Sequence, residues 1–271
     1  MLPAALHAET AIAPAEFGRL NAENIPISMD GFVLSSTGTG FFVSSAGHYV
    51  TPFHVAGHCS RLAILRPERA YEARVIAASG PADISVLLSG APHVTAELVS
   101  NASLKRGAPF LIVRYAHLAG VRGRSSVVAH YIGAVRMGPV GLAVRAAESI
   151  VGGNSGSPVV RMEGGVAGMV TAVAREDSHI VLGIDSLAIA EMLQSADVPF
   201  RWQTKRVSPS LAAGAPQFTY PVACYVKPKN LMRQISSRPH VSAGRQSPSR
   251  LATGLSTRRA SASGVATTTR L

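Results

Sequence analysis

The chain has 271 residues, 47% of them apolar, which is enough for one substantial core or the paired cores of a two-lobed enzyme, and no apolar run approaches the ~18 residues that mark a membrane-crossing helix. Its 26 Lys and Arg and 15 Asp and Glu are unevenly placed: residues 201–271 hold 12 of the cations and no acid, so the body is nearly neutral and the tail supplies the basic charge. Two cysteines, Cys59 and Cys224, lie too far apart to suggest the disulfide framework of a small secreted domain, and each is expected to be a free thiol, with Cys59 packing as a small hydrophobe.

Residues 1–25 form an N-terminal segment whose start, MLPAALHAETA, resembles the end of a secretory signal but lacks a basic beginning and a full apolar stretch. That leaves the compartment open between periplasm or exterior and cytoplasm. Residues 26–200 carry the pattern of a folded domain. Short runs rich in Val, Ile, Phe and Leu, punctuated by Gly, Ser and Pro, predict strands at 31–34, 39–43, 49–51, 61–65, 73–78, 85–88, 110–115, 125–132, 142–145, 158–161, 166–174 and 180–184. Only 51–58 and 186–196 read as helical, the second with an amphipathic face and Ser186 as its cap. Many short strands without long intervening helices predict an all-β barrel or sandwich, dividing into halves near 100–107. Past Trp202 the chain turns to Ser, Thr, Ala, Pro and Arg, a composition that buries too little apolar surface to offset chain entropy, so 201–271 is expected to be a mostly disordered basic tail. Residues 217–226, QFTYPVACYV, are the exception and could add a strand or dock on the body.

The strongest chemical signal is Gly152-Gly153-Asn154-Ser155-Gly156-Ser157-Pro158. Flanking glycines let the backbone turn sharply and present amide N–H groups beside a serine hydroxyl, so one turn can supply both a nucleophile and, through the N–H groups of Gly153 and Ser155, an oxyanion hole. A serine needs a base. His54, just past a predicted strand and at the start of a helical turn, is the best candidate, with His48 and His58 as competitors. A third residue must hold the imidazole's tautomer and stabilise its cation. Asp83 opens an apolar strand and keeps the order His, Asp, Ser, which Asp30, Asp177 and Asp185 do not. An α/β-hydrolase would need the order serine, acid, histidine and a glycine two residues after the nucleophile, where this chain has Ser157.

These motifs resemble the trypsin-like serine peptidases in their HtrA/Deg branch, whose protease domains carry GxGF, TxxHV, DxAVL and GNSGGP elements in this order and with similar gaps. Here they stand as Gly38-Thr39-Gly40-Phe41, Thr51-Pro52-Phe53-His54-Val55, Asp83-Ile84-Ser85-Val86-Leu87 and Gly153-Asn154-Ser155-Gly156-Ser157-Pro158. The resemblance covers roughly 38–193 and implies two perpendicular six-stranded antiparallel β-barrels followed by a C-terminal helix. It also implies His54, Asp83 and Ser155 as a catalytic triad, and endopeptidase activity through an acyl-enzyme without a cofactor or metal. By the same analogy the substrate pocket includes Ser149, six residues before the nucleophile, and the strand Val170, Thr171 and Ala172. Lacking an acid at Ser149, the pocket is expected to take small or medium apolar P1 residues. The chain departs from the pattern at Pro52, where asparagine is usual, at Ser157, where the second glycine stands, and at Ser85, where alanine is common; no PDZ module follows.

The implied partners are protein or peptide substrates. The tail's cations could neutralise nucleic-acid phosphates or meet an anionic surface, but they are spread among Ser and Pro rather than clustered, which suits a solvated extension better. The reading of a different class is a catalytically inactive barrel kept as a binding module, with Pro52 or Ser157 spoiling the site.

Overall fold

The computed structural model describes residues 28–29, 31–66, 69–102, 104–115, 124–136, 140–204 and 215–229. The expectations attached to 1–25, to Asp30 and to the disordered tail at 205–214 and beyond 229 lie outside the described residues.

The first barrel contains β2 (Phe32–Phe42), β3 (His48–Thr51), β4 (Arg61–Leu65), β5 (Ala70–Ser79) and β6 (Ile84–Ser89), with the two-residue β1 (Ser28–Met29) paired to its outside at β2. The second is a closed barrel of β7 (Pro109–Tyr115), β8 (Arg124–Arg136), β9 (Val140–Ala146), β10 (Pro158–Arg161), β11 (Val166–Val173) and β12 (Ile180–Asp185). All of these pairings are antiparallel. The predicted strands at 61–65 and 158–161 match β4 and β10, while those at 31–34 and 39–43 are one continuous β2. The polar stretch between them stays extended because it is laddered to a strand from the far end of the chain.

That strand is β13 (Thr219–Val226), drawn from the segment assigned by composition to the tail. It lies between β2 and β4, with Val222 opposite both Gly38 and Ile64, and it closes the first barrel in the order β2-β13-β4-β5-β6-β3. Alternation explains the fit. Tyr220, Val222, Cys224 and Val226 face the interior with Phe42, Tyr49, Leu62, Ile64 and Leu87. Ala223 and Tyr225 face outward but are covered by Phe32, Leu34, Ala63 and Leu65. With both faces covered, the strand reads as a nearly unbroken apolar run. The folded unit therefore extends past residue 200.

The free-thiol expectation for both cysteines is overturned: Cys59 and Cys224 form a disulfide with a Cα–Cα distance of 5.4 Å. Their separation of 165 residues hid the proximity, which exists because β13 returns along β4. Cys224 pairs with Leu62, and Tyr225 O accepts from the N–H of Ser60, next to Cys59. Closing so long a loop removes much denatured-state entropy, and losing a native bridge of this kind costs about 2–5 kcal/mol. The Cys59→Ser, Cys224→Ser double variant is expected to fall by that amount in urea denaturation, and an unchanged midpoint would show that the bridge adds nothing.

Two helices frame the barrels. The four-residue α1 (Phe53–Ala56) follows β3 directly, and α2 (Ser186–Ser195) follows β12. The cap of α2 is Asp185, whose carboxylate accepts from the N–H of Leu187 at 2.7 Å. Ser186, expected to cap it, instead donates its hydroxyl to Val99 O at 2.7 Å. A shared core joins the barrels: Phe41, Val50, Ile84 and Val86 of the first pack with Val113, Val160, Met169 and Ile184 of the second and with Ile189 and Leu193 of α2. A third short helix, α3 (Ala215–Phe218), leads into β13.

Candidate active site

The three motifs meet where the barrels face each other. β3 ends at Thr51, and Pro52 (φ −64°) caps α1 in the extended conformation, its carbonyl accepting from the N–H groups of Val55 and Ala56. Proline's fixed φ suits this position, so Pro52 sets the turn into α1 without strain. His54 thus sits in the first turn, exposed towards solvent.

The N–H of His54 donates to Asp83 Oδ1 at 2.9 Å, and its ring Nδ1 lies 3.0 Å from Oδ1 and 2.8 Å from Oδ2. An ionised carboxylate only accepts, so Nδ1 carries the proton and the lone pair is left on Nε2. Asp83 reaches this position from an unusual backbone, φ +53°, in the turn that closes with its N–H on Gly80 O at 3.1 Å just ahead of β6. Left-handed conformations are several-fold enriched in aspartate over bulky residues.

The competitors are placed elsewhere. The ring Nδ1 of His48 lies 2.6 Å from the hydroxyl of Ser44, and burial lowers the pKa of His48. His58 packs edge-on against Phe53. Asp177 pairs with Arg145 at 3.0 Å, and the backbone N–H of His179, aided by that guanidinium, holds its carboxyl below the usual range. Asp185 caps α2 and accepts from Asn101.

From the second barrel comes the turn 152–157. Gly153 (φ +90°) and Gly156 (φ +94°) take left-handed conformations, and a Cβ at Gly156 would collide with Thr39 O. Gly156 N donates to Val170 O at 2.7 Å, and Val170 N to Ser157 O at 2.9 Å, which fastens the turn to β11. Asn154 is fully buried, and its N–H and side-chain amide both donate to Val151 O. The N–H groups of Gly153 and Ser155 make no hydrogen bond among the described residues. Ser157 is buried at an ordinary φ, so it replaces a glycine without backbone strain, although its hydroxyl finds no partner among the described residues.

The turn is seated against the first barrel. Ser155 O accepts from Thr39 N at 2.7 Å, Gly153 O accepts from the Thr39 hydroxyl at 3.0 Å, and the Thr51 hydroxyl donates to Thr39 O at 2.8 Å. Ser155 O and Val55 both approach Gly38 so closely that a side chain there would collide with Val55. The same glycine of β2 thus touches the helix of His54 and the residue of the serine. Sequence reasoning assigned no task to Thr39 and Thr51, although both stand inside the motifs it singled out.

The expected pocket residues are less uniform. Ser149 Oγ accepts from Ser178 Oγ at 3.0 Å and lies 3.3 Å from His179 Nε2. Val170 turns its side chain into the core of the second barrel, Thr171 lies at a bulge of β11, and Ala172 is half-buried.

Comparison with known proteins accords with this geometry. Residues 38–169 match the family model of the trypsin-like peptidase domain. The chain is 26% identical over 154 residues to the uncharacterized protein y4bJ of Sinorhizobium fredii, covering 56% of this chain and 24% of that protein, so it spans about a quarter of that relative's length. Among solved structures, the active form of the Rv3671c protease of M. tuberculosis superposes with a TM-score of 0.52 at 22% identity, covering 63% of this chain and 78% of the other. The HtrA-type protease AlgW, solved with a decapeptide, gives 0.51 at 22% identity over 65% of this chain and 58% of the other. Residues 38–169 are therefore similar to a trypsin-like peptidase domain, and the chain has the two-barrel fold of the HtrA-type proteases it superposes on.

Proposed function

We propose that the protein is a serine endopeptidase in which Ser155 is the nucleophile, His54 the general base and Asp83 the orienting acid. The observation that carries this reading is the grip of Asp83 on His54: one carboxylate holds both the backbone N–H and Nδ1, which leaves Nε2 as the basic nitrogen. In the reaction, Ser155 Oγ attacks the scissile carbonyl as His54 Nε2 takes its proton. Asp83 stabilises the imidazolium so formed without taking up a proton itself. The oxyanion of the tetrahedral intermediate meets the N–H groups of Gly153 and Ser155, which make no other hydrogen bond among the described residues. His54 then delivers its proton to the leaving amine, and water repeats the sequence on the acyl-enzyme.

The proposed substrates are proteins or peptides. Neither Ser149 nor the strand Val170, Thr171 and Ala172 carries an acid to pair a P1 lysine or arginine, so small or medium apolar P1 residues fit best. The Cys59–Cys224 bridge favours an oxidising compartment. No helix among the described residues is long and apolar enough to cross a membrane.

A fluorophosphonate probe followed by peptide mapping tests the reading. A single adduct on Ser155 is expected. A folded protein that takes up no probe, or takes it up elsewhere, would point to the barrel as a binding module.

A further inference from the structure

One residue of the first barrel holds both residues whose N–H groups form the oxyanion hole. We propose that Thr39 is a positioning residue for catalysis, its hydroxyl fixing the oxyanion turn of the opposite barrel; this rests on the serine-endopeptidase reading above.

The turn's own bonds, from the Asn154 N–H and side-chain amide to Val151 O and from Ser157 N–H to Asn154 O, do not reach the carbonyls of Gly153 and Ser155. Gly152 is exposed and Gly153 stands at φ +90°, so no side chain resists rotation of the peptide between them, the one that carries the Gly153 N–H. What restrains those two carbonyls comes from the other barrel. Thr39 Oγ1 donates to Gly153 O at 3.0 Å and fixes the next peptide along. Thr39 N donates to Ser155 O at 2.7 Å and fixes the peptide after the second donor. The third polar atom, Thr39 O, is held by the Thr51 hydroxyl at 2.8 Å. Both threonines are completely buried, so no solvent competes for these bonds. With the carbonyls of Gly153 and Ser155 drawn towards β2, their N–H groups are left for the substrate. If the hydroxyl is removed, Gly153 O is left buried without this partner, and the turn gains freedom to rotate the Gly153 N–H out of line.

Such a loss acts on the transition state, where the oxyanion exists, and hardly on ground-state binding. Thr39→Val keeps the shape and the backbone bond to Ser155 O and deletes only the hydroxyl. Losing an oxyanion donor outright lowers kcat about 10²–10³-fold, and a donor that is mispositioned part of the time should lose about tenfold to a hundredfold. The experiment measures kcat and KM on a peptide substrate, together with the rate of phosphonate labelling, for wild type, Thr39→Val and Thr39→Ser. The expected result is a fall in kcat and in labelling rate for Thr39→Val with KM within about twofold, and recovery in Thr39→Ser. Equal kcat in Thr39→Val and wild type overturns the proposal, as does a Thr39→Ser variant as poor as Thr39→Val, which would assign the effect to the methyl group. Should Thr39→Val fail to fold, Thr39→Cys, a weak donor of similar size, takes its place: activity falling from Thr and Ser to Cys supports the role, and equal activity removes it. Absence of labelling in the wild type would instead overturn the serine reading, and the role of Thr39 with it.

Discussion

Replacing Ser155 by alanine is expected to lower kcat by about 10⁶-fold while leaving the thermal midpoint near that of the wild type. The side chain lost is small and half-buried, whereas the acyl-enzyme route disappears with it. His54→Ala should cost about as much, because a serine hydroxyl without its base is a poor nucleophile. The double variant should be scarcely worse than either single one, since the residues act as a unit and their effects do not add. Asp83→Asn is the more diagnostic change. An amide in place of the carboxylate can present its N–H₂ to Nδ1, which turns the imidazole to the tautomer with its proton on Nε2, and about 10⁴ in kcat is expected to be lost. Steady-state hydrolysis and phosphonate labelling would both read these losses. A near-normal rate in Asp83→Asn would mean that the contacts at 2.8 and 3.0 Å do not serve catalysis.

The second large effect concerns a part of the molecule far along the chain from these residues. A chain ended at residue 203 keeps every motif of the triad and both short helices around it, yet it is expected to lose the first barrel. Tyr220, Val222, Cys224 and Val226 supply interior side chains, and four such burials amount to roughly 6–12 kcal/mol, comparable to the whole stability of a typical domain at ~5–15 kcal/mol. The cut also leaves β2 and β4 as unpaired edges and removes the disulfide. The truncated protein should show no cooperative melt for this barrel by circular dichroism, should aggregate through the open edges, and should not label at Ser155, because β2 also carries Thr39. A truncated chain that melts and labels like the full one would show β13 to be an accessory strand.

The short runs rich in Val, Ile, Phe and Leu, punctuated by turn residues and without long helices between them, implied an all-β fold, because strands that cross a barrel are short and must be joined by turns. The order and spacing of His54, Asp83 and Ser155 were legible for a related reason: the glycines that turn the backbone at 152–156 and the apolar strands around His54 and Asp83 are local necessities of the site. Composition misled at the C-terminus. The segment 217–226 stood out amid Ser, Thr and Arg as one that could add a strand, as β13 does, but local patterning carries no information about the partner strands β2 and β4, far earlier in the chain, that bury it. The same blindness hid the Cys59–Cys224 bridge, since proximity across 165 residues is a property of strand order alone. Pro52 and Ser157 looked like the departures most able to spoil the site, and whether they did depended on backbone angles that only the folded chain displays: proline lies at its natural φ and serine at an ordinary one. The sequence by itself thus determined the fold class and named His54, Asp83 and Ser155 as the candidates to carry the chemistry. Only the tertiary structure decided which strand closes the barrel and how Thr39 ties one barrel to the turn 152–157 of the other, because both depend on contacts between segments that share no local pattern.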